Sequence, residues 1–415
     1  TVLIKDNIGQ GLILRGNDDH GFTSLSYNDL FNVSILDTSN DSVRTDNDEE
    51  DFYQNATVRT SFDAGLFNIA LNYTDYEYDY DNCNDAVDFS ATNDCVQKGD
   101  KIAVSIRSDF LTLGYNSNKA EYLSKEVQTW QSDAERYFID VKQHIDLGEP
   151  PAELILGITA NQEKFNDLDD TTVSAYSTIN WNDTLSIGLR ITEDVAVFRG
   201  GFEVDNFFVS IGQSYREPSL HEKFGDAWVD PNPDLEPEDA FGFEIGYGAL
   251  SYFKYDFTQG VDYSPGYTFE YTDAEGNLVS EWNNGTYRNT GEYKTEGLRF
   301  MNMYKFDNHS INIMLGYTDS DNPRVPEFKS RLGYSYEKNN FVFDISHVSQ
   351  LERGMDVVSD IELEDINTFD IVISKRFANN IKLSFTVQDV ADNRFEIVPG
   401  YGAGGRKFYL TLERR

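Results

Sequence analysis

Leu66-Phe67-Asn68-Ile69-Ala70-Leu71-Asn72-Tyr73 alternates apolar and polar positions residue by residue. Successive side chains of an extended strand point to opposite faces, so Phe67, Ile69, Leu71 and Tyr73 share one face and Asn68, Ala70 and Asn72 the other. The same two-residue beat recurs at Leu185, Ile187, Leu189 and Ile191, and at Ile381, Leu383, Phe385 and Val387. Between such segments, short turns take strict alternation with long, acid-laden connections. An apolar outer face and a polar inner face are what a barrel needs when lipid surrounds it and water fills it. The sequence therefore predicts an all-β fold, a large antiparallel transmembrane β-barrel occupying residues 1–415 as a single domain.

The predicted short turns are Ser61 to Gly65, Gly148 to Pro151, Trp181 to Asp183, Asp205 to Asn206, Lys338 to Asn340 and Ala378 to Asn380. Asp, Asn, Gly and Pro dominate them because these residues accept turn geometry. The long connections are Asp37 to Asp51, Asp81 to Asp100, Glu217 to Glu236, Pro265 to Asn284, Leu351 to Asp365 and Asp389 to Gly405. In outer-membrane barrels the short ones are periplasmic and the long ones extracellular. Counting gives roughly 20 or 21 strands, which suggests the large class of about 22 strands with a plugged lumen. Ala134 to Ile145 reads as a strand rather than a helix, and no helix of useful length is expected. A soluble sandwich or propeller would not explain the regular alternation of loop lengths.

Composition agrees. No stretch of about 18 apolar residues is present, which excludes a transmembrane helix but not barrel strands. Aromatic residues make up 14% of the chain, enough to furnish girdles at both membrane surfaces. Lys and Arg number 34 against 72 acidic residues, a formal charge of −38. That balance argues against a nucleic-acid partner, because phosphates are bound by cations. The two cysteines, Cys83 and Cys95, lie in one acidic connection without histidine nearby, so a disulfide closing that loop is favoured over a zinc site or a redox pair. A disulfide implies an oxidising compartment. Thr1 is not a start residue and no signal peptide follows it, so the expectation is a mature or shortened chain.

Three motifs are more specific than the beat. Ser214-Tyr215-Arg216-Glu217-Pro218-Ser219-Leu220 runs on to Asn232-Pro233-Asp234-Leu235-Glu236-Pro237-Glu238 and Phe243-Glu244-Ile245-Gly246. Asn289, Gly291, Glu296 and Gly297 follow, and the chain closes with Val387 to Phe395, Pro399-Gly400-Tyr401 and Gly405-Arg406-Lys407-Phe408. In this order the motifs resemble those of TonB-dependent outer-membrane receptors, although Val387 to Val390 departs from the usual wording. On residue chemistry alone these positions build the barrel: prolines stiffen a loop and glycines relieve crowding.

The resemblance implies a bacterial outer-membrane, monomeric importer of a large scarce solute, with lipid around it and a TonB-type energy-coupling protein acting through a plug. Nothing in residues 1–415 looks like that plug, which is expected ahead of the barrel. Within the family the chain is most similar to cobalamin receptors, on Arg44-Thr45-Asp46-Asn47-Asp48 and the acidic loop Asp79 to Asp94. The likeness implies calcium in the extracellular loops. Asp46 and Asp48 match by motif, and Asp51, Asp81 and Asp94 by neighbourhood; converging carboxylates suit this hard cation. Solvation of a very acidic loop is the competing account. Trp228, Tyr267, Tyr271 and Trp282 are candidates to pack on a corrin or an aromatic ferric chelate, against a plain girdle or self-packing role. A passive porin is the alternative of another class. Catalysis is not expected: the five histidines are scattered, and neither a His-Glu-x-x-His nor a Gly-x-Ser-x-Gly pattern occurs.

Overall fold

The structure is a computed structural model. It describes residues 2–5, 11–16, 20–27, 31–41, 50–80, 83–84, 91–92, 95–125, 127–149, 151–193, 195–225, 229–264, 266–272, 278–322, 325–354, 362–377, 381–398 and 401–414. Side chains are described from residue 54 onward, apart from 80–94, 267–283, 396–404, 412–415 and the shorter gaps above. Strands dominate, and 23 of them belong to one antiparallel sheet. Two compact units are distinguished, one comprising Thr1–Asp133, Gly246–Tyr252 and Glu296–Arg415, the other Ala134–Ile245 and Phe253–Thr295.

In the first unit, Phe31–Asp41, Glu50–Ala64, Phe67–Tyr80, Cys95–Arg107 and Leu111–Ser124 form an antiparallel meander. Ile69 lies between Phe62 and Ile106, and Tyr73 between Val58 and Ile102, so the predicted apolar face is continuous across three strands. The opposite face is polar and satisfies itself: Asn68 Nδ2 donates to Asp63 Oδ1 at 2.9 Å, Arg59 Nε to Asn72 Oδ1 at 3.1 Å, and the Thr57 and Thr74 hydroxyls meet at 3.0 Å. A second meander runs from His309–Ser320 through Phe328–Lys338, Phe341–Leu351, Ile366–Arg376 and Ile381–Gln388 to Lys407–Arg414. The opening strand Val2–Lys5 lies beside that last one.

In the second unit a meander runs through Ala152–Phe165, Leu168–Trp181, Leu185–Thr192, Ala196–Val204 and Phe207–Arg216. Val127–Asp146 is a 20-residue strand, as read over Ala134 to Ile145. Ile158, Ile187 and Ile191 are at least half exposed, and Leu156, Leu189 and Phe198 at least 40% exposed. All six project from one face, a continuous apolar surface that only a nonaqueous solvent would cover.

Several boundaries differ from the sequence reading; Asp37 to Asp41, read as the start of a long connection, are strand paired with Gln54 to Glu50. Ser61 to Ala64 are strand rather than turn, registered opposite Ala70 to Phe67, and the reversal is confined to Gly65 and Leu66. Gly65 takes φ +66°, the left-handed conformation that lets a two-residue turn close. The connection read as Asp81 to Asp100 ends earlier, because Cys95 already pairs with Tyr80 and Ser124. The turns at Asp205–Asn206 and Asn339–Asn340 fall where expected, with positive φ at Asp205 and at both asparagines. The turn read at Ala378 to Asn380 lies outside the described residues.

One cross-strand pair makes a test of the packing. Gly157 sits opposite Tyr176, and a Cβ at residue 157 would fall 2.2 Å from the tyrosine ring. The ring occupies the vacant position while its hydroxyl donates to Asp140 Oδ1 at 3.0 Å. Gly157→Ala should displace the ring and break that hydrogen bond, costing about 1–3 kcal/mol. The check is a lower temperature for loss of the folded, heat-modifiable band in detergent; an unchanged transition refutes the packing.

Candidate functional site

Beyond the strand Phe207–Arg216 the chain enters a long connection that opens with a short helix. Ser219 and Glu222 cap a five-residue helix, Leu220–Phe224. The Glu222 N–H donates to Ser219 Oγ at 3.2 Å, and the Ser219 N–H donates to Glu222 Oε2 at 2.7 Å. This reciprocal pair satisfies donors that a helix start leaves open. The helix ends at Gly225, whose φ is +64°, and a Cβ there would sit 2.0 Å from the Val229 carbonyl oxygen. Only glycine fits.

Arg216 holds this helix to the barrel strand. Its Nη1 donates to both Glu222 oxygens, at 2.9 and 3.1 Å, and its Nε donates to Glu238 Oε2. The other Glu238 oxygen accepts from the Val261 N–H at 2.6 Å. One guanidinium thus links the end of one strand, the helix and the start of Glu238–Tyr247, using the forked donor geometry that lysine lacks.

Two asparagines tie the remaining segments together. The Asn232 N–H donates to the Lys223 carbonyl at 2.8 Å, and its Nδ2 to the Tyr287 carbonyl at 2.8 Å. Asn289 accepts from the Glu236 N–H at 2.9 Å while donating to the Glu236 and Gln259 carbonyls, at 2.8 and 2.9 Å. Val229–Asp230, Gly285–Asn289 and Val261–Ser264 form a small three-stranded sheet around them. His221 meets Phe165 and Tyr287 edge-on, at 5.7 and 5.9 Å between ring centres, and Leu220 and Leu235 are buried. Pro233 is exposed in a turn and Pro237 half-buried, as loop-stiffening residues would be.

The other motif residues serve their own neighbourhoods. Glu296 Oε2 accepts from the Tyr252 hydroxyl at 2.6 Å, and Gly297 is buried beside it. Gly405, at φ +82°, donates its N–H to the Asn393 carbonyl at 2.9 Å, while the Arg406 N–H donates to Asp392 Oδ1 at 2.7 Å. Nearby Asp389 is 4% exposed, and among the described residues neither carboxylate oxygen has a hydrogen-bond partner. Its N–H donates to Asp370 Oδ1 at 2.8 Å.

The residues expected to meet a ligand or a cation fall largely outside this frame. Asp46, Asp48, Asp81, Asp94 and Trp228 lie outside the described residues. Asp51 is on the strand Glu50–Ala64, opposite Asn40, with its side chain outside them. Tyr267, Tyr271 and Trp282 lie on the hairpin of Tyr267–Thr272 and Leu278–Asn283, where Tyr271 pairs with Val279 and Trp282 with Thr268; their side chains are likewise undescribed. Cys83 is on a two-residue strand, its side chain undescribed, whereas Cys95 is 1% exposed. Among the described residues no group of three or more His, Cys, Asp or Glu side chains could hold a metal ion. The roles of Arg216, Ser219 and Glu222 escaped the sequence reading, although the Ser-x-x-Glu spacing of a capping box was there to find.

Residues 4–390 match the family described as TonB dependent receptor-like, β-barrel, and the chain belongs to that family. Its members are outer-membrane barrels of Gram-negative bacteria, transporters rather than enzymes. The vitamin B12 transporter BtuB of Vibrio cholerae serotype O1 is 22% identical over 252 residues, covering 57% of this chain and 39% of the transporter; the alignment therefore spans about two fifths of that relative. Among solved structures, the siderophore receptor PirA of Acinetobacter baumannii superposes with a TM-score of 0.67 at 13% identity, covering 97% of this chain and 78% of that one. The ferric enterobactin receptor PfeA of Pseudomonas aeruginosa gives 0.67 at 12%, with 97% and 79% covered. At such identities the structural likeness is one of fold.

Two outcomes follow from the frame. Burial opposes ionisation of Glu222, but its hydrogen bonds to Arg216 and Ser219 prevail and hold its carboxyl below the usual range. A depressed folded value means that the clamp is complete above the ordinary carboxylate range and is lost as pH falls through that value. Protease cleavage within residues 217–237 should therefore accelerate on acidification, and Arg216→Ala should raise it at neutral pH by about tenfold, or ~1.4 kcal/mol of local opening. Cleavage independent of both would refute the clamp. Burying a carboxyl group with no hydrogen-bond partner among the described residues costs more than burying a neutral amide, so Asp389→Asn should stabilise the barrel by about 1–3 kcal/mol in thermal or denaturant unfolding; a destabilised variant would contradict this account.

Proposed function

We propose that the chain is the barrel of an energy-coupled importer that carries cobalamin across the outer membrane. The observation carrying this reading is the barrel-family match together with the aspartate-rich Arg44 to Asp48 loop, the feature on which the cobalamin likeness rests. The alignment with a vitamin B12 transporter supports it. In this reading the solute docks at the long loops, calcium bound by Asp46 and Asp48, with Asp51, Asp81 and Asp94 nearby, orders them, and a Cys83–Cys95 disulfide staples the second acidic loop. Trp228, Tyr267, Tyr271 and Trp282 supply apolar contact. A plug in the bore couples release to a TonB-type protein in the periplasm, and the barrel works as a monomer.

Ferric siderophores are the second reading, favoured by the receptors PirA and PfeA that share the fold. The acidic balance of the chain opposes anionic chelates unless cations intervene.

Uptake by cells lacking their own receptors separates the two. With the complete gene supplied, cobalamin should be accumulated, dependent on the coupling protein, while ferric siderophores are not. Asp46→Asn with Asp48→Asn, or calcium chelation, should weaken cobalamin binding by about tenfold or more. Rescue by a siderophore instead moves the assignment to the second reading, and rescue by neither overturns both. Trp228→Ala with unchanged affinity removes that residue from the contact set.

A further inference from the structure

Three of the four methionines in the chain gather in one place. Met301 and Met303 are two residues apart on the strand Tyr293–Phe306 and so share a face. Met314 belongs to His309–Ser320, where it pairs with Arg331 of Phe328–Lys338. All three line a single cavity of about 620 Å³ with Asn312, Gly333, Ser335, Asp344 and Ser346.

The face they occupy is the wrong one for ordinary apolar side chains. Alternate positions along these strands carry Ile313 opposite Leu332 and Tyr334 opposite Ile345, and Ile313, Tyr334 and Ile345 also border the cavity. The cavity side carries Asn312 opposite Gly333, Gly333 opposite Ser346, and Ser335 opposite Asp344. This is the polar face, which in a barrel of this family lines the bore. Packing against lipid therefore does not account for the methionines, and burial does not either: Met301, Met303 and Met314 are 50%, 52% and 41% exposed.

A thioether differs from an aliphatic group of similar size in carrying soft lone pairs on a flexible stem. Soft sulfur ligands select monovalent copper over the hard cations that carboxylates prefer. Gly333 carries no side chain on the cavity wall, and Arg331 and Asp344 are the charged residues that line it. We propose that Met301, Met303 and Met314 form a three-sulfur site on the bore wall for a soft monovalent cation of the Cu(I) class. This assignment is independent of the imported solute.

Silver(I), an air-stable ion of the same softness, is the probe. Isothermal titration of the purified protein in detergent and chloride-free buffer should show one saturable site. Replacing all three methionines with leucine should weaken binding by at least about tenfold. X-ray absorption at the silver edge should report sulfur as the coordinating atom. If the triple variant loses the folded, heat-modifiable band, the single variants Met301→Leu, Met303→Leu and Met314→Leu decide, each expected to bind more weakly than the parent. No saturable uptake by the parent, parent-like affinity in the triple variant, or parent-like affinity in all three single variants overturns the site.

Discussion

Every strand in this protein has to satisfy two solvents at once while leaving no backbone donor or acceptor open to hydrocarbon. A sheet one residue thick has no interior of its own, so its stability cannot come from a conventional core; among the described residues only six hydrophobic side chains are buried. What replaces a core is the ladder of inter-strand hydrogen bonds, with side chains sorted by face. The polar face then needs local partners, which it finds across strands, as between Asn68 and Asp63 or Thr57 and Thr74.

Against that repetitive wall, the connection between Arg216 and Glu238 is built on a different principle. Its order comes from a small number of polar groups that each reach several chain segments. Arg216 joins three of them, and Asn289 holds two carbonyls and an N–H that are 53 and 30 residues away in sequence. These links are charge-assisted or fully bidentate, the kind that fixes geometry as well as adding stability. The motif residues that mark the family are thus mostly fasteners, consistent with their reading as barrel-building positions.

The wall was largely legible from residue order, because a period of two survives any context: the faces of Phe67 to Tyr73 and of Leu185 to Ile191 came out as read. Turn limits were less secure. Ser61 and Asp63 are common turn residues, yet cross-strand pairing with Ala70 and Asn68 keeps them extended until a positive φ becomes available at Gly65. The single helical turn was missed because five residues give no periodicity to detect, and only its capping pair betrays it. The Arg216 clamp could not be read at all, since Glu238 and Val261 come near it only after the intervening segments have folded.

Asn289 has an evolutionary corollary. By holding Gln259 on one side and Glu236 on the other, it secures the base of the hairpin that projects between Ser264 and Gly285. With its root fastened, that projection can exchange residues, lengthen or shorten with little strain on the wall beneath. A lineage could rewrite that hairpin alone, leaving the scaffold as common inheritance.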